Sequence, residues 1–186
     1  GFFRVANKCF LREIICKYIR IKAVWYYYYE YVMANTYTQL FIHAVFVVKG
    51  RQNLIAKPYQ EELYKYITGI IQQKHHKLLI INGMPDHIHI LLGLNPEESL
   101  SDLVKEIKRC SSIFINSRHW VFGRFEWQAG FAAFSYSKSQ IDKVYHYIKN
   151  QQEHHSHKSF REEIIELLDK FGIDYNTKYI FDEVNI

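Results

Sequence analysis

Two short stretches carry residue types and spacings that chemistry uses. The first is Met84-Pro85-Asp86-His87-Ile88-His89-Ile90-Leu91-Leu92. It follows a short apolar run, Leu78 to Asn82, across Gly83 and Pro85, which break a strand as turn residues do, so the pattern predicts a hairpin. Side chains two apart on a strand share a face, so His87 and His89 project side by side while Ile88 turns away. Two imidazoles so placed can hold one divalent ion, although most such strand pairs are surface or satisfied core residues.

The second stretch is Tyr147-Ile148-Lys149-Asn150-Gln151. Upstream of it, Ser137-Lys138-Ser139-Gln140 fits a capping box, in which the Ser side chain takes an orphan amide and the Gln reaches back, so a helix begins there. With Ile141 at zero and about 100° per residue, Val144, Tyr145 and Ile148 fall within roughly 60° of it and make the buried stripe. Tyr147 falls roughly 120° off that stripe, with Gln151 one turn on along the same side and His154 beyond. Tyr145 therefore reads as structural and Tyr147 as presented; the bland alternative is an ordinary boundary tyrosine.

Pro85-Asp86-His87-Ile88-His89, then Trp127-Gln128-Ala129-Gly130-Phe131-Ala132-Ala133-Phe134-Ser135, then Tyr147 to Gln151 with His154-His155, closely resemble the single-tyrosine transposases of the HUH superfamily. These are the small enzymes of bacterial insertion sequences and the related REP-associated tyrosine transposases. The similarity runs in order and spacing from about Thr36 to Tyr175. The resemblance implies a metal-dependent transposase of single-stranded DNA acting at hairpin-marked ends. His87 and His89, with Gln151 as third ligand, would hold Mg2+ or Mn2+ against the scissile phosphate, withdrawing charge from a phosphoryl oxygen. Tyr147 would attack phosphorus and keep the 5′ phosphate as a phosphotyrosine, freeing a 3′ hydroxyl. That linkage conserves the diester bond energy, so a second 3′ hydroxyl rejoins the ends without ATP. Imidazole suits softer ions than Mg2+, which makes Mn2+ at least equally competent. The resemblance also implies a homodimer in which the tyrosine helix of one subunit completes the histidine site of the other. The short Ser135-Tyr136-Ser137 link permits assembly within one chain or between two.

Elements that must position these residues can be read along the chain. Thr38 to Val48 is β-branched and aromatic with little alternation, as in a central strand covered on both faces. Within it His43 reads as a core histidine with a hydrogen-bond partner. From Pro58, Leu63, Tyr66, Ile67 and Ile70 recur at helical spacing; Lys74-His75-His76-Lys77 then reads as a polar link with both histidines solvated. Ser99 or Ser101 caps a helix whose buried stripe is Leu100, Leu103, Val104, Ile107 and Phe114. Lys105, Lys108, Arg109 and Ser112 lie together on another face, which is either a solvated basic stripe or a surface for DNA phosphates. Trp120, Phe122, Phe125 and Trp127 either fill the core edge or stack on unpaired bases. Strands at 38–48, 78–82, 87–92 and about 130–136, with helices after the first and third, give β-α-β-β-α-β. That order predicts an α+β, ferredoxin-like antiparallel sheet with helices on one face, to which the tyrosine helix is added at the C-terminal side. Ser159-Phe160-Arg161-Glu162 is a second capping box, opening a helix that stops at Gly172.

The chain has 186 residues and a net charge of +5, but most of that charge sits in residues 1–32, where Arg4, Lys8, Arg12, Lys17, Arg20 and Lys22 face only Glu13 and Glu30. The remainder is nearly neutral, so nucleic-acid binding has to come from local patches. Residues 1–32 also hold Cys9, Cys16 and the run Trp25-Tyr26-Tyr27-Tyr28-Tyr29, and Met33 reads like a natural start. Two expectations are open: an N-terminal extension translated from upstream sequence before a transposase domain at 33–186, or a genuine helix near 11–28. No run of eighteen apolar residues predicts a membrane span. Beyond Met33 only Cys110 remains, so disulfides play no part in the domain and a bacterial cytoplasm fits. Two other function classes stay in view. One is a metal-dependent phosphodiesterase in which water replaces Tyr147; the other is a non-catalytic nucleic-acid-binding module on a similar sheet.

Overall fold

The computed structural model describes residues 37–155, 158–177 and 180. The chain divides into two compact units, Gly1–Tyr37 and Thr38–Ile186. Both expectations for residues 1–32 fall outside the described residues.

The second unit contains the predicted order. Strand β1 is Phe41–Val47, helix α1 Lys57–Gln73, β2 Lys77–Met84, β3 His87–Gly93, helix α2 Leu100–Ser117 and β4 Ala132–Tyr136. The four strands form one sheet in the order β2-β3-β1-β4, with every pairing antiparallel, which is the ferredoxin-like topology. Two further helices follow, α3 at Ile141–Lys149 and α4 at Phe160–Lys170, with a short helical turn Gln151–His154 between them.

The lack of alternation in β1 is explained by helices on both faces of the sheet. Phe46, Ile88, Ile90 and Leu92 point to one face and pack with Leu63, Ile67 and Ile71 of α1 and Leu103, Val104 and Ile107 of α2. Phe41, Val45, Val47 and Leu91 point to the other, where they meet Ile141, Val144 and Ile148 of α3 and Phe160, Ile164 and Leu167 of α4. The added helices are thus a second covering layer. His43, His87 and His89 lie on that second face, because they share the parity of Val45, Val47 and Leu91. Pairing sets Val47 opposite His87 and Val45 opposite His89.

Local signals set most boundaries. Ser99 caps α2, its Oγ accepting from Asp102 N at 3.1 Å. Both capping boxes form, at Ser137/Gln140 and Ser159/Glu162. The first opens with a 3-10 turn, Lys138–Gln140, before α3 proper. After α4, Gly172 takes φ +61, the left-handed stop that glycine tolerates best.

His76 corrects one expectation. His75 is exposed, as read from sequence, but it turns the chain at φ +60 and sends His76 inward, where it is buried. There Nε2 lies 2.8 Å from Glu98 Oε2 and Nδ1 accepts from Asn95 N at 2.9 Å. The aromatic residues after α2 divide between the two readings. Phe125 and Trp127 are buried, the latter donating Nε1–H to Ser111 Oγ at 2.8 Å, whereas Phe122 is fully exposed. Trp120 stacks on Tyr59 with ring centroids 4.7 Å apart.

The turn that delivers the histidine pair is tight. A Cβ built on Gly83 would lie 2.2 Å from the His87 carbonyl oxygen and 2.9 Å from Ile88 Cα, both backbone atoms. Gly83→Ala is therefore expected to lower unfolding free energy by about 3 kcal/mol, the upper range for overpacking. A urea titration that gives an unchanged midpoint would contradict this.

Candidate active site

The hairpin strand β3 places His87 and His89 side by side on the second face, and both are buried. Each ring has one nitrogen held by a neighbour. Asp86 Oδ1 lies 2.7 Å from His87 Nδ1, and the Asp86 carboxylate is gripped at Oδ2 by Arg51 through Nε at 3.1 Å and an Nη at 2.6 Å. His43 Nε2 lies 2.9 Å from His89 Nδ1. The second nitrogens, Nε2 of His87 and of His89, are buried with no hydrogen-bond partner among the described residues. This is how metal-ligating histidines are built, with one nitrogen oriented and the other left as a donor to an ion.

Helix α3 is fixed over this pair by its apolar stripe and by β2. Asn82 Nδ2 donates to the carbonyl oxygens of Ile148 at 2.8 Å and Lys149 at 3.1 Å, satisfying the end of the helix just before Gln151. Tyr147 is half-buried, with its ring edge-on to His43 and His89 at centroid distances of 6.2 and 6.3 Å. Gln151 is fully buried and its Oε1 lacks a partner among the described residues. All four residues of the predicted set, His87, His89, Tyr147 and Gln151, converge within a single chain.

Two residues without a sequence-derived role join them. Glu163 of α4 is 1% exposed and accepts hydrogen bonds from the Tyr147 hydroxyl and, at 2.9 Å, from Gln151 Nε2. His155 Nε2 lies 2.9 Å from Glu163 Oε2, and His89 Nε2 lies 3.6 Å from Glu163 Oε1. A signal for Glu163 was present: Phe160, Ile164 and Leu167 recur at helical spacing, and Glu163 interrupts their buried stripe with a charge. His155 was visible only as half of His154-His155.

Burial governs the electrostatics. It pushes the pKa of His89 well below the ordinary imidazole value, against the opposing pull of Glu163, and lowers His87 against the pull of Asp86. His43 is brought to about 4 by the same desolvation. These three imidazoles are neutral at pH 7, the form that binds metal. Burial alone would raise Asp86 and Glu163. Hydrogen bonds from His87 and Arg51 and the Arg51 charge instead hold Asp86 at about 2, and hydrogen bonds from His155, Tyr147 and Gln151 bring Glu163 below the ordinary carboxylate range. Tyr147 is raised above the ordinary phenol value, first by burial and then by the Glu163 charge. The buried neutral nitrogens, an amide oxygen and an anionic carboxylate in one cluster fit a divalent cation.

Tyr147 also borders open space. It lines a groove of about 990 Å3 with Lys143, His146, Asn150, Lys158 and Glu162, and a second cavity of about 520 Å3 with Glu163 and Lys170. The predicted basic residues of α2 lie elsewhere, around a cavity of about 930 Å3 with Asn116 and Arg124. Lys105 is exposed. Arg109 makes a two-point contact with Glu106 at 2.9 and 2.7 Å. Lys108 is turned inward, with Nζ donating to the carbonyl oxygens of Gln128 at 2.5 Å and Gly130 at 2.6 Å, and burial lowers its pKa to about 8.

Residues 36–151 match the family of IS200-like transposases, more than half of the chain, and the protein belongs to that family. It is 24% identical over 120 residues to the ISDra2 transposase TnpA of Deinococcus radiodurans, covering 62% of this chain and 86% of that protein. A solved transposase-type structure from Deinococcus radiodurans superimposes with a TM-score of 0.50 at 25% identity, over 63% of this chain and 95% of that one. A REP-associated tyrosine transposase bound to a REP hairpin shares the fold, with a TM-score of 0.52 at 14% identity over 66% of this chain and 72% of that one. Among the described residues no helix is long and apolar enough to cross a membrane.

Proposed function

We propose that this transposase cleaves and rejoins single-stranded DNA at hairpin-marked ends through a 5′-phosphotyrosine on Tyr147. The observation that carries the reading is the convergence of Tyr147 with the Nε2 atoms of His87 and His89 and the Oε1 of Gln151, which have no hydrogen-bond partner among the described residues. His87, His89 and Gln151 hold Mg2+ or Mn2+. When bound, the ion withdraws charge from a phosphoryl oxygen and its field favours the tyrosyl anion. Asp86 and His43 keep the Nδ1 sides of the two histidines occupied, which aims their Nε2 atoms.

Tyr147 is the nucleophile, and the groove beside it admits the strand. Its hydroxyl gives up its proton to water and the oxygen bonds to phosphorus while the bond to the 3′ oxygen breaks, and the leaving oxygen takes up a proton to end as a free 3′ hydroxyl. Glu163 orients the tyrosine hydroxyl. Its carboxylate accepts that hydroxyl's hydrogen bond, which fixes where the tyrosine oxygen points. In this reading His87, His89, Gln151 and Tyr147 of one chain form the site.

Lys105 and Arg109 contact DNA phosphates, and Lys108 orders the 128–130 loop beside them. Lys105→Ala and Arg109→Ala are each expected to weaken hairpin DNA binding uniformly across sequences and to reduce the slope of log affinity against log salt by about 0.7–0.9. Unchanged slopes in a fluorescence-anisotropy salt series would remove this face from the interface.

The reading as a whole is tested with Mn2+ and a hairpin-bearing single strand from the flanking sequence, resolved on a denaturing gel. A covalent protein–DNA adduct, absent with EDTA, is expected. Cleavage without an adduct would indicate water as nucleophile, and binding indifferent to EDTA with no cleavage would indicate a binding module.

A further inference from the structure

Glu163 is the least explained group in the molecule. A carboxylate removed from water costs several kcal/mol unless opposite charge or ample hydrogen bonding compensates it. Among the described residues no lysine or arginine pairs with Glu163. Its neighbours are the Tyr147 hydroxyl, the Gln151 amide at 2.9 Å, His155 at 2.9 Å and His89 at 3.6 Å. That surrounding suits an anion that shares a cation.

The donor atoms lie near the spacing of a coordination sphere. One ring nitrogen each from His87, His89 and His155, and one oxygen of Glu163, all lie within 4.8 Å of one another. An ion with ligands at about 2.0–2.2 Å sets neighbouring donors about 3 Å apart and opposite donors about 4.2 Å apart. His155 is tied into the cluster by the His87 ring, whose centroid is 4.7 Å from its own, and Phe160 packs against His87 at 4.3 Å. Both residues lie beyond the family-matched segment 36–151.

We propose that Glu163 and His155 are ligands of the metal held by His87 and His89, so that they supply two of the five protein side chains that bind it. The proposal rests on the preceding reading of His87 and His89. Gln151 fixes the Glu163 carboxylate through Nε2 while offering Oε1 to the same ion. Five protein donors leave one position of an octahedron for a phosphoryl oxygen. Because Glu163 also accepts from Tyr147, the ligand ties the nucleophile to the ion. A set of three imidazoles and one carboxylate selects first-row transition ions, and the order Mn2+ < Co2+ above Mg2+ follows.

The test is metal binding by the full chain without DNA. Mn2+ titration is followed by loss of the free-ion EPR signal, and Co2+ titration by its visible d–d absorption. Variants are Glu163→Gln, Glu163→Asp, His155→Gln and His87→Ala, with the exposed Glu61→Gln as control; circular dichroism confirms folding. Glu163→Gln is expected to weaken Mn2+ binding about 100-fold and to change the Co2+ spectrum, and His155→Gln to weaken it about tenfold. Glu163→Asp should recover part of the affinity, which loss of fold would not permit. Affinity within twofold of wild type for folded Glu163→Gln, with His87→Ala still abolishing binding, would overturn the ligand assignment and leave the histidine centre standing. Loss of neither would overturn both. A Glu163→Gln protein with unchanged Mn2+ affinity but a higher adduct yield would overturn it differently, by showing that the carboxylate occupies the phosphate's place.

Discussion

Tyr147→Phe is expected to abolish covalent attachment of DNA, with the rate of adduct formation falling by about 10^4-fold or more, as for removal of a catalytic nucleophile. The substitution deletes one oxygen and keeps the ring, so the edge-on contacts with His43 and His89 persist. Glu163 loses one donor and retains Gln151 and His155. Stability should therefore change by no more than about 1–2 kcal/mol, the worth of a hydrogen bond at a charged acceptor. A gel assay beside a thermal melt separates the two effects. If the Phe variant melts normally and still cleaves, the nucleophile is not Tyr147, and the water-based phosphodiesterase becomes the correct reading.

His87→Ala and His89→Ala should each abolish detectable Mn2+ binding and slow adduct formation by about 10^3-fold, the rate equivalent of several kcal/mol of charge stabilisation. The two differ in what they leave behind. Without the His87 ring, the Asp86 carboxylate keeps Arg51 as a partner. Without the His89 ring, His43 loses the hydrogen bond at Nε2 while its Nδ1 already has no partner among the described residues, so His89→Ala should be the more destabilising. Calorimetric titration with Mn2+ and a urea midpoint for each variant check both statements. Wild-type adduct yield in EDTA would contradict the role of the pair.

The parts of this molecule that announce themselves in sequence are those set by local physics. The hairpin follows from Gly83 and Pro85, and the parity of His87 and His89 from the two-residue strand period. The openings of α3 and α4 follow from capping boxes at Ser137 and Ser159. The non-alternating β1 implied two covered faces, yet the cover on the second face became visible only once α3 and α4 were seen to pack against Val45, Val47 and Leu91. What stayed hidden depends on long-range packing. Glu163 shows in sequence only as a charge interrupting the apolar stripe of α4; that the stripe turns against the sheet and carries the carboxylate to Tyr147 and Gln151 is set by packing. Lys108 shares a helix face with Lys105, but the 128–130 carbonyls, about twenty residues on in the chain, draw its ammonium inward. His76 looked solvated beside His75 because nothing local signals that the positive φ at His75 reverses the chain. Asp86 was part of the motif from the outset, but its partner Arg51 lies 35 residues earlier in the chain, with α1 and β2 between them.

The most direct test of the central claim is peptide mapping by mass spectrometry of the DNA adduct trapped in Mn2+ after nuclease trimming. The expected result is a peptide spanning Tyr147 that carries a nucleotide through a 5′ phosphate on the tyrosine oxygen, with a free 3′ hydroxyl on the released strand. An adduct on another residue, or a cleaved strand with every tyrosine unmodified, would contradict it.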